Sequence, residues 1–262
     1  MKKYEMINYY QEGLISIVEL NCASKHNYLN KQMLSEISDI FDEISKSSSH
    51  CVILKASKEC KMFSSGHSIK DFKDIFGDPL GESSNFRSVI NQIKNFSKPI
   101  ISVVNGGVYG GAFELVLLTD IVIATPDCLF AITPANFTLA YPLEGIKSML
   151  SIIGVHHLKE MLYTASSINC HKAMEYGIVN HIVDKEESLE FAKRIAITIC
   201  EKSPLYIELV KVEIDVLLSC GEVSPHLRKK IERMRQEVYE SQDYQEGIKA
   251  FCEKRKPNFM GV

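Results

Sequence analysis

Near the start of the chain, the pattern of apolar and polar positions predicts two strands, a helix and a third strand. Residues 4–20 form two strand-like runs around a turn at residues 11–13. Asn30 then stands where a helix N-cap is expected, and apolar residues recur at helical spacing across residues 31–46. The mostly apolar run Cys51–Ala56 is typical of a buried strand.

Further along, strands and helices alternate. Apolar residues at helical spacing from Phe86 to Ile93 predict a helix, which is followed by a strand at residues 100–104. A second helix is predicted at residues 112–118 and another strand at residues 120–124. Such alternation indicates a parallel sheet with helical crossovers, so we assign the first two-thirds of the chain to the α/β class.

Beyond Ala165 the pattern is mostly helical. Residues 167–177 predict a capped helix closed by Gly177, and a short strand follows at residues 178–183. Helices are then predicted at about residues 186–202, 205–219, 224–240 and 243–254. We therefore expect an α/β core over residues 1–200 and a helical region over residues 201–262, which serves assembly or closes over a ligand.

Composition narrows the possible partners and locations. The 262 residues are 45% hydrophobic and 24% charged, which is ordinary for a soluble globular protein. A net charge of −3 argues against nucleic acid as the main partner. No apolar run reaches the roughly 20 residues of a membrane span, and the N-terminus lacks the apolar segment of a signal peptide. We therefore expect a cytoplasmic protein that binds neither a membrane nor nucleic acid.

The cysteines and histidines do not predict a metal site. The chain has eight cysteines, none in a C-x-x-C pair, and no Cys/His cluster has zinc-ligand spacing. Most of the cysteines stand in apolar contexts. Reduced core thiols are the expected state, and no metal is expected.

One candidate site is a glycine-rich turn at residues 105–111. A strand-like run enters it, a helix-like run leaves it, and it contains Gly106, Gly107, Gly110 and Gly111. Glycine allows positive φ and close approach of a ligand, and a helix start presents free N–H groups at the positive end of the helix dipole. The turn is therefore suited to a phosphate or an oxyanion.

A second loop, residues 63–69, follows the strand predicted at Cys51–Ala56. Both loops follow parallel strands, so both should lie at the carboxyl edge of one sheet, where open α/β folds bind ligands. One N–H from each loop would then converge on a single carbonyl oxygen. That arrangement is an oxyanion hole for a thioester or an ester.

Other glycine-loop chemistries fit less well. The chain has no G-x-x-x-x-G-K-[ST] phosphate loop, its turn does not match G-x-G-x-x-G at an N-terminal dinucleotide unit, and it has no G-x-S-x-G serine nucleophile. Tight turns without a ligand remain equally compatible with the spacing alone.

The motifs in these loops resemble those of the crotonase (enoyl-CoA hydratase/isomerase) superfamily. The resemblance is carried by residues 63–67, 108–114 and 133–136, by Tyr141 and by the tail at residues 239–259. It implies a spiral of ββα turns with a helical C-terminal trimerisation region, assembled as a trimer or a dimer of trimers. It also implies an acyl-CoA substrate, with coenzyme A as part of that substrate and no separate cofactor.

The resemblance also implies roles for individual residues. The backbone N–H groups of His67 and Gly111 would form the oxyanion hole, and Tyr141 would orient the reacting group as the third catalytic residue. The alternative for Tyr141 is a half-buried tyrosine with its hydroxyl on a loop carbonyl. Lys254 would reach the ligand of a neighbouring subunit, and Lys25 is a further candidate for contact with a CoA phosphate. The implied substrate-binding residues are Ser65, Gly66, His67, Ser68, Ile69, Gly111, Thr133 and Lys254.

Departures from the hydratase pattern point to a different reaction. Glu114 matches the first hydratase glutamate, but Pro134 stands at the position of the second, and Ser68 replaces a common aspartate. Without a second carboxylate the acid–base pair for water addition is missing, and we expect Glu114 to be paired structurally.

Decarboxylation of a malonyl-type acyl-CoA, such as methylmalonyl-CoA to propionyl-CoA and CO₂, is the leading hypothesis. An enoyl-CoA hydratase or isomerase, or a non-catalytic CoA- or RNA-binding protein, is the alternative.

Overall fold

The computed structural model describes residues 4–68, 80–81, 84–137, 139–219 and 224–262, so the candidate Ile69 lies outside the described residues. One sheet contains β1 (Ile7–Glu12), β2 (Ile15–Leu20), β3 (Cys51–Ala56), β4 (Ile100–Val104), β6 (Ile121–Ala124) and β9 (His181–Ile182). A smaller sheet contains β5 (Gly107–Tyr109), β7 (Leu129–Ala131) and β8 (Ile168–Asn169).

The helices of the described residues fall into two groups. Those of the first part are α1 (Lys31–Ser45), α2 (Asn85–Lys94), α3 (Gly111–Leu117), α4 (Leu143–Leu150), α5 (Val155–Thr164), α6 (Cys170–Glu175) and α7 (Lys185–Cys200). The C-terminal group comprises α8 (Pro204–Ser219), α9 (Pro225–Glu240) and α10 (Gln242–Glu253). Short 3-10 turns occupy Ala23–Lys25 and Pro134–Phe137.

The large sheet has the order β1-β2-β3-β4-β6-β9. Its first pair, β1 and β2, is antiparallel, and each later pair is parallel. The predicted hairpin and the predicted parallel sheet are therefore both confirmed. Because β3 and β4 are parallel neighbours, the segments that follow them leave from the same edge of the sheet.

The two faces of this sheet carry separate cores. Along β3, Val52 and Leu54 pack with the buried faces of α1 and α2, while Cys51 and Ile53 face the opposite side. There α7 covers the sheet with Ala192 and Ala196, which are fully buried. Coverage on both faces explains why β3 reads as a nearly continuous apolar run rather than as an alternating one.

Local capping signals agree with the structure in two places and mislead in a third. The Asn30 side chain accepts the N–H of Met33 at 2.9 Å and caps α1, and Gly177 follows α6 with φ of 80°. The helix predicted from residue 167 begins later, at Cys170, because Ile168–Asn169 pairs with β7 as β8. Asn169 is the N-cap that the structure uses, since its side chain accepts the N–H of Lys172.

The C-terminal helices lie close to their predicted positions. The chain end folds back onto them, because the buried carboxylate of Asp243 accepts the N–H groups of Met260 and Gly261 at 2.7 and 3.0 Å. Helix α9 buries no residue in the isolated chain. Division at residue 200 and self-association through this region stay predictions. No helix in the described ranges is long and apolar enough to cross a membrane.

Candidate active site

Hydrogen bonds join the two predicted loops side by side. The N–H of Phe63 donates to the carbonyl of Asn105 at 2.7 Å, and Ser64 pairs with Val108 in a parallel bridge. In that bridge the N–H of Ser64 donates to the carbonyl of Gly107 at 3.1 Å, and the carbonyl of Ser64 accepts the N–H of Tyr109 at 3.2 Å. The loops thus meet at one edge, as expected from their positions after neighbouring parallel strands.

Two glycines make this close approach possible. Gly66 has φ of 78°, and a Cβ there would lie 2.3 Å from the carbonyl oxygen of Tyr109 and 3.3 Å from the nitrogen of Gly111. A Cβ on Gly111 would lie 2.6 Å from Nδ1 of His67. Side chains at either position would therefore collide with the opposite loop. The same distances show that His67 and Gly111, the two predicted oxyanion donors, are spatial neighbours.

The start of α3 contains Gly111, one of the two predicted donors. Gly110, with φ of 54°, precedes the helix, and its carbonyl accepts the N–H groups of Phe113 and Glu114. The N–H of Gly111 belongs to the first turn and has no acceptor in the part of the chain that the structure describes. It is therefore available to a ligand oxygen.

The imidazole of His67 packs edge-on against Phe86, with ring centroids 4.3 Å apart. Burial lowers the pKa of His67 to about 4, so the ring is neutral near pH 7. A neutral ring this difficult to protonate is a poor general base at that pH. This agrees with the prediction that His67 acts through its backbone, although the donor role itself stays a prediction.

A cavity of about 270 Å³ lies beside the two loops. Its walls include five of the predicted residues: Ser65, His67, Gly111, Thr133 and Tyr141. They also include residues that the sequence did not single out: Leu80, Phe86, Tyr109, Asn136 and Leu139. Among the described lining residues no side chain is acidic or carries a permanent positive charge. The cavity is thus mostly apolar, with hydroxyl, amide and backbone groups for orientation.

Behind this cavity wall, Glu114 is fully buried and both of its carboxylate oxygens are engaged. Oε1 accepts from Nη1 of Arg87 at 2.7 Å, and Oε2 accepts from the hydroxyl of Tyr141 at 2.5 Å. The predicted structural pairing of Glu114 is therefore present. The hydroxyl of Tyr141 donates to a carboxylate, which differs from the loop carbonyl considered as the alternative.

Burial, followed by the adjacent Glu114 carboxylate, raises the pKa of Tyr141 well above its ordinary value. The phenol is consequently a neutral hydrogen-bond donor over the whole physiological range. Gly145 of α4 leaves room for this contact, since a Cβ there would lie 2.5 Å from the ring of Tyr141 and 3.0 Å from Oε1 of Glu114.

Sequence reasoning also missed Arg87, the ion-pair partner of Glu114 behind the cavity. It is only 4% exposed, and its Nε and Nη2 atoms are buried without a partner among the described residues. The available signal was an arginine next to Phe86 and three positions before Ile90, within the apolar stripe of α2. A charge on the buried face of a helix requires a partner, which is Glu114.

The remaining predicted residues are spread more widely. The N–H groups of Ser65 and Gly66 donate to His26 and to the hydroxyl of Ser64, so they are not available to a ligand. Lys254 is exposed after α10, and none of the described cavity residues comes from that helix. Its contact with a neighbouring subunit's ligand stays a prediction. Lys25 lies at the surface with its Nζ 3.2 Å from the hydroxyl of Tyr28.

Comparison with known proteins decides the family. A model of the enoyl-CoA hydratase/isomerase family matches residues 10–261. The chain belongs to that family. The crotonase resemblance drawn from the loop motifs is therefore confirmed, and so is the predicted crotonase-like fold.

Individual relatives differ in the reaction that they catalyse. A methylmalonyl-CoA decarboxylase of Escherichia coli is 38% identical over 98% of this chain and 99% of its own length. A methylmalonyl-CoA decarboxylase solved with 2S-carboxypropyl-CoA is 37% identical over the whole of both chains, with a TM-score of 0.81. An enoyl-CoA hydratase from Bacillus anthracis, 27% identical over 98% of this chain and 100% of its own, has a TM-score of 0.88. Backbone similarity therefore does not separate the two activities.

Replacing Arg87 by methionine should strongly destabilise the protein. The change leaves the carboxylate of Glu114 buried with a single hydrogen bond, and breaking such a buried pair costs about 3–5 kcal/mol. Urea unfolding measures this loss. The matched control is Arg235→Met, which removes a solvent-screened pair with Glu213 and should change stability far less. Equal effects of the two substitutions would contradict the assignment.

The neutral His67 should make the fold sensitive to acid. In the unfolded chain histidine titrates near 6.5, whereas His67 in the fold titrates at about 4, so the unfolded state binds the extra proton first. Stability should therefore fall as the pH drops from 6.5 towards 4, by up to about 3 kcal/mol from this residue. His67→Gln should flatten that part of the stability profile, while His171→Gln, on the exposed face of α6, should not. Parallel profiles for all three proteins would refute the assignment.

Proposed function

We propose that the protein decarboxylates a malonyl-type acyl-CoA thioester, with methylmalonyl-CoA giving propionyl-CoA and CO₂ as the specific reaction. The observation that carries this proposal is the engagement of Glu114 by both Arg87 and Tyr141. Together with a described cavity lining that holds no acidic side chain, this leaves no carboxylate pair among the described residues for adding water to a double bond.

The relatives support an acyl-CoA substrate. One solved decarboxylase was captured with 2S-carboxypropyl-CoA, and the similarity to it extends over the whole chain. In the proposal, coenzyme A is part of the substrate and no separate cofactor takes part. The cavity beside Thr133 and Ser65 receives the acyl end of the substrate. The protein assembles in the cytoplasm as a trimer or a dimer of trimers. In that assembly Lys254 contacts the nucleotide part of the coenzyme A bound by a neighbouring subunit.

The N–H groups of His67 and Gly111 supply the catalytic stabilisation in this reaction. As the bond to the carboxylate breaks, its electron pair moves into the thioester and the carbonyl oxygen becomes an enolate oxygen. The α-carbon of the enolate then takes up a proton from water, which gives propionyl-CoA. Each donor aimed at that oxygen contributes about 3–4 kcal/mol. Two donors, if partly additive, correspond to roughly 10⁴- to 10⁵-fold at about 1.4 kcal/mol per decade.

Tyr141 orients the leaving carboxylate. Its hydroxyl turns from Glu114 to the substrate, while the ion pair with Arg87 keeps the Glu114 side chain in place. A neutral donor holds the carboxylate without stabilising its charge as strongly as a lysine or arginine would. The absence of such a cation among the described lining residues therefore favours loss of CO₂.

Hydration of an enoyl-CoA is the second candidate. Glu114 occupies the position of one hydratase glutamate, and solved hydratases have closely similar folds. This candidate requires Glu114 to leave Arg87 and Tyr141 and to act without a second carboxylate, because Pro134 stands at that position and lines the cavity.

Purified protein incubated separately with methylmalonyl-CoA and crotonyl-CoA tests the two reactions. Release of CO₂ and propionyl-CoA from the first substrate alone is the expected result. Loss of the conjugated enoyl absorbance from crotonyl-CoA, without decarboxylation, would establish the hydratase instead. No turnover of either substrate would favour a non-catalytic binding protein.

The role of Tyr141 can be separated from its bond to Glu114. Tyr141→Phe removes both proposed contacts of the hydroxyl, whereas Glu114→Gln leaves the hydroxyl in place and weakens its internal contact. Because Glu114→Gln also removes the charge opposite the buried Arg87, the rates of the two variants are compared per folded protein. If the phenol orients the substrate, kcat should fall roughly 10-fold or more in Tyr141→Phe and much less in Glu114→Gln. Equal losses in the two variants would assign Tyr141 a purely structural role.

A further inference from the structure

Asn27 occupies an unusual place next to the loop that begins at Phe63 and contains His67, which we call the oxyanion loop. It is fully buried and has φ of 50°, a left-handed conformation that asparagine tolerates better than most residues. It lies in the turn between β2 and α1, and no sequence motif singled it out. A buried polar side chain in this conformation requires specific partners.

Every backbone and side-chain polar group of Asn27 makes a contact. Its N–H donates to Cys22 at 3.0 Å, and its Oδ1 accepts the N–H of Cys22 at 2.7 Å. Its Nδ2 donates to the carbonyl of Phe63 at 2.9 Å, and its own carbonyl accepts the hydroxyl of Ser64 at 2.6 Å. The same Ser64 hydroxyl accepts the N–H of Gly66 at 3.1 Å. Asn27 is therefore bonded directly or through one hydroxyl to Phe63, Ser64 and Gly66.

The two sides of the oxyanion loop are held differently. On the side of β5, backbone hydrogen bonds to Asn105 and Gly107 hold the loop. On the opposite side the chain around Asn27 supplies the contacts. There the carbonyl of His26 also accepts the N–H of Ser65, and the N–H of Leu29 donates to the carbonyl of Gly66. The side chain of Asn27 links the turn before α1 to the oxyanion loop, through its bond to the carbonyl of Phe63.

We propose that Asn27 is a positioning residue, which fixes the loop so that the His67 N–H points at the thioester oxygen. The inference rests on the proposed function in one respect, that a thioester carbonyl binds between the two loops. Leu29 pairs with His67 in a parallel bridge, so the turn that contains Asn27 continues directly to the donor. Because an oxyanion donor acts only over a narrow range of distance, a small displacement of this loop weakens the transition state more than substrate binding.

Two substitutions at Asn27 test the role. Asn27→Gly keeps the left-handed conformation and removes the side chain. Asn27→Asp keeps the acceptor for Cys22 but replaces the donor to Phe63 with an oxygen. For both we expect kcat for methylmalonyl-CoA to fall roughly 10-fold or more, a part of the effect of losing a whole donor, with KM changed less than about 3-fold.

A binding measurement distinguishes positioning from general loosening. The probes are propionyl-CoA and S-propyl-CoA, a thioether of the same chain length that lacks the carbonyl oxygen. In the Asn27 variants the affinity for the thioester should fall slightly, by no more than the roughly 3-fold limit expected for KM, while the affinity for the thioether stays the same. An unchanged ratio of the two affinities, together with an unchanged kcat, would overturn the inference.

Asn169→Ala is the matched control, because it also removes a bond from an asparagine side chain to a backbone N–H. It deletes the N-cap of α6 and should lower Tm by roughly 2–4 °C, with the affinity ratio unchanged. If Asn27→Asp does not fold, Asn27→Gly carries the test. Ser64→Ala, which breaks the second link to Asn27, provides a further variant with the same expected outcome.

Failure of the proposed reaction and failure of this inference give different results. A wild-type protein that prefers the thioester but releases no CO₂ would refute decarboxylation while the affinity ratio still tests Asn27. A wild-type protein that decarboxylates, with variants that match it in kcat and in the ratio, would refute the role of Asn27 alone. Equal binding of thioester and thioether by the wild type would overturn the inference at its starting point.

Discussion

The parallel pairing of Ser64 with Val108 brings together two loops that are distant in sequence. The large sheet directs both loops to one edge, but this pairing sets the distance between them. It leaves no room for a Cβ at Gly66 or Gly111, which accounts for the glycines at both positions. The start of α3, the wall of the cavity and the environment of His67 all depend on this contact.

Electrostatics of the site follow from a different constraint. Glu114 lies one turn into α3 and faces inward, where an unpaired carboxylate would be costly. Arg87 and Tyr141 satisfy it from two other parts of the chain, α2 and the segment before α4. The charges of Arg87 and Glu114 therefore compensate each other behind the cavity lining, and the described lining residues themselves present neutral groups. A binding site of this kind favours a reaction that disperses the substrate's own charge.

Sequence reasoning succeeded where the signal is local. The apolar run of β3, the cap at Asn30 and the glycines of the turn each reflect the chemistry of a few neighbouring residues. It failed where partners are remote: β8 forms only because β7 is available, so the helix predicted from residue 167 begins later. The burial of Arg87 likewise depends on a carboxylate 27 positions away, and periodicity alone cannot indicate which residue supplies it.

The ion pair of Arg87 with Glu114 also affects how a chain of this kind changes its reaction during evolution. Pro134→Glu alone would place a second carboxylate at the cavity, yet Glu114 would remain bonded to Arg87 and Tyr141. Hydration becomes available only when Glu114 is released as well, and releasing it first leaves a buried charge unpaired. Neither change is useful by itself, so the proposed decarboxylation would be separated from hydration by at least two coupled steps.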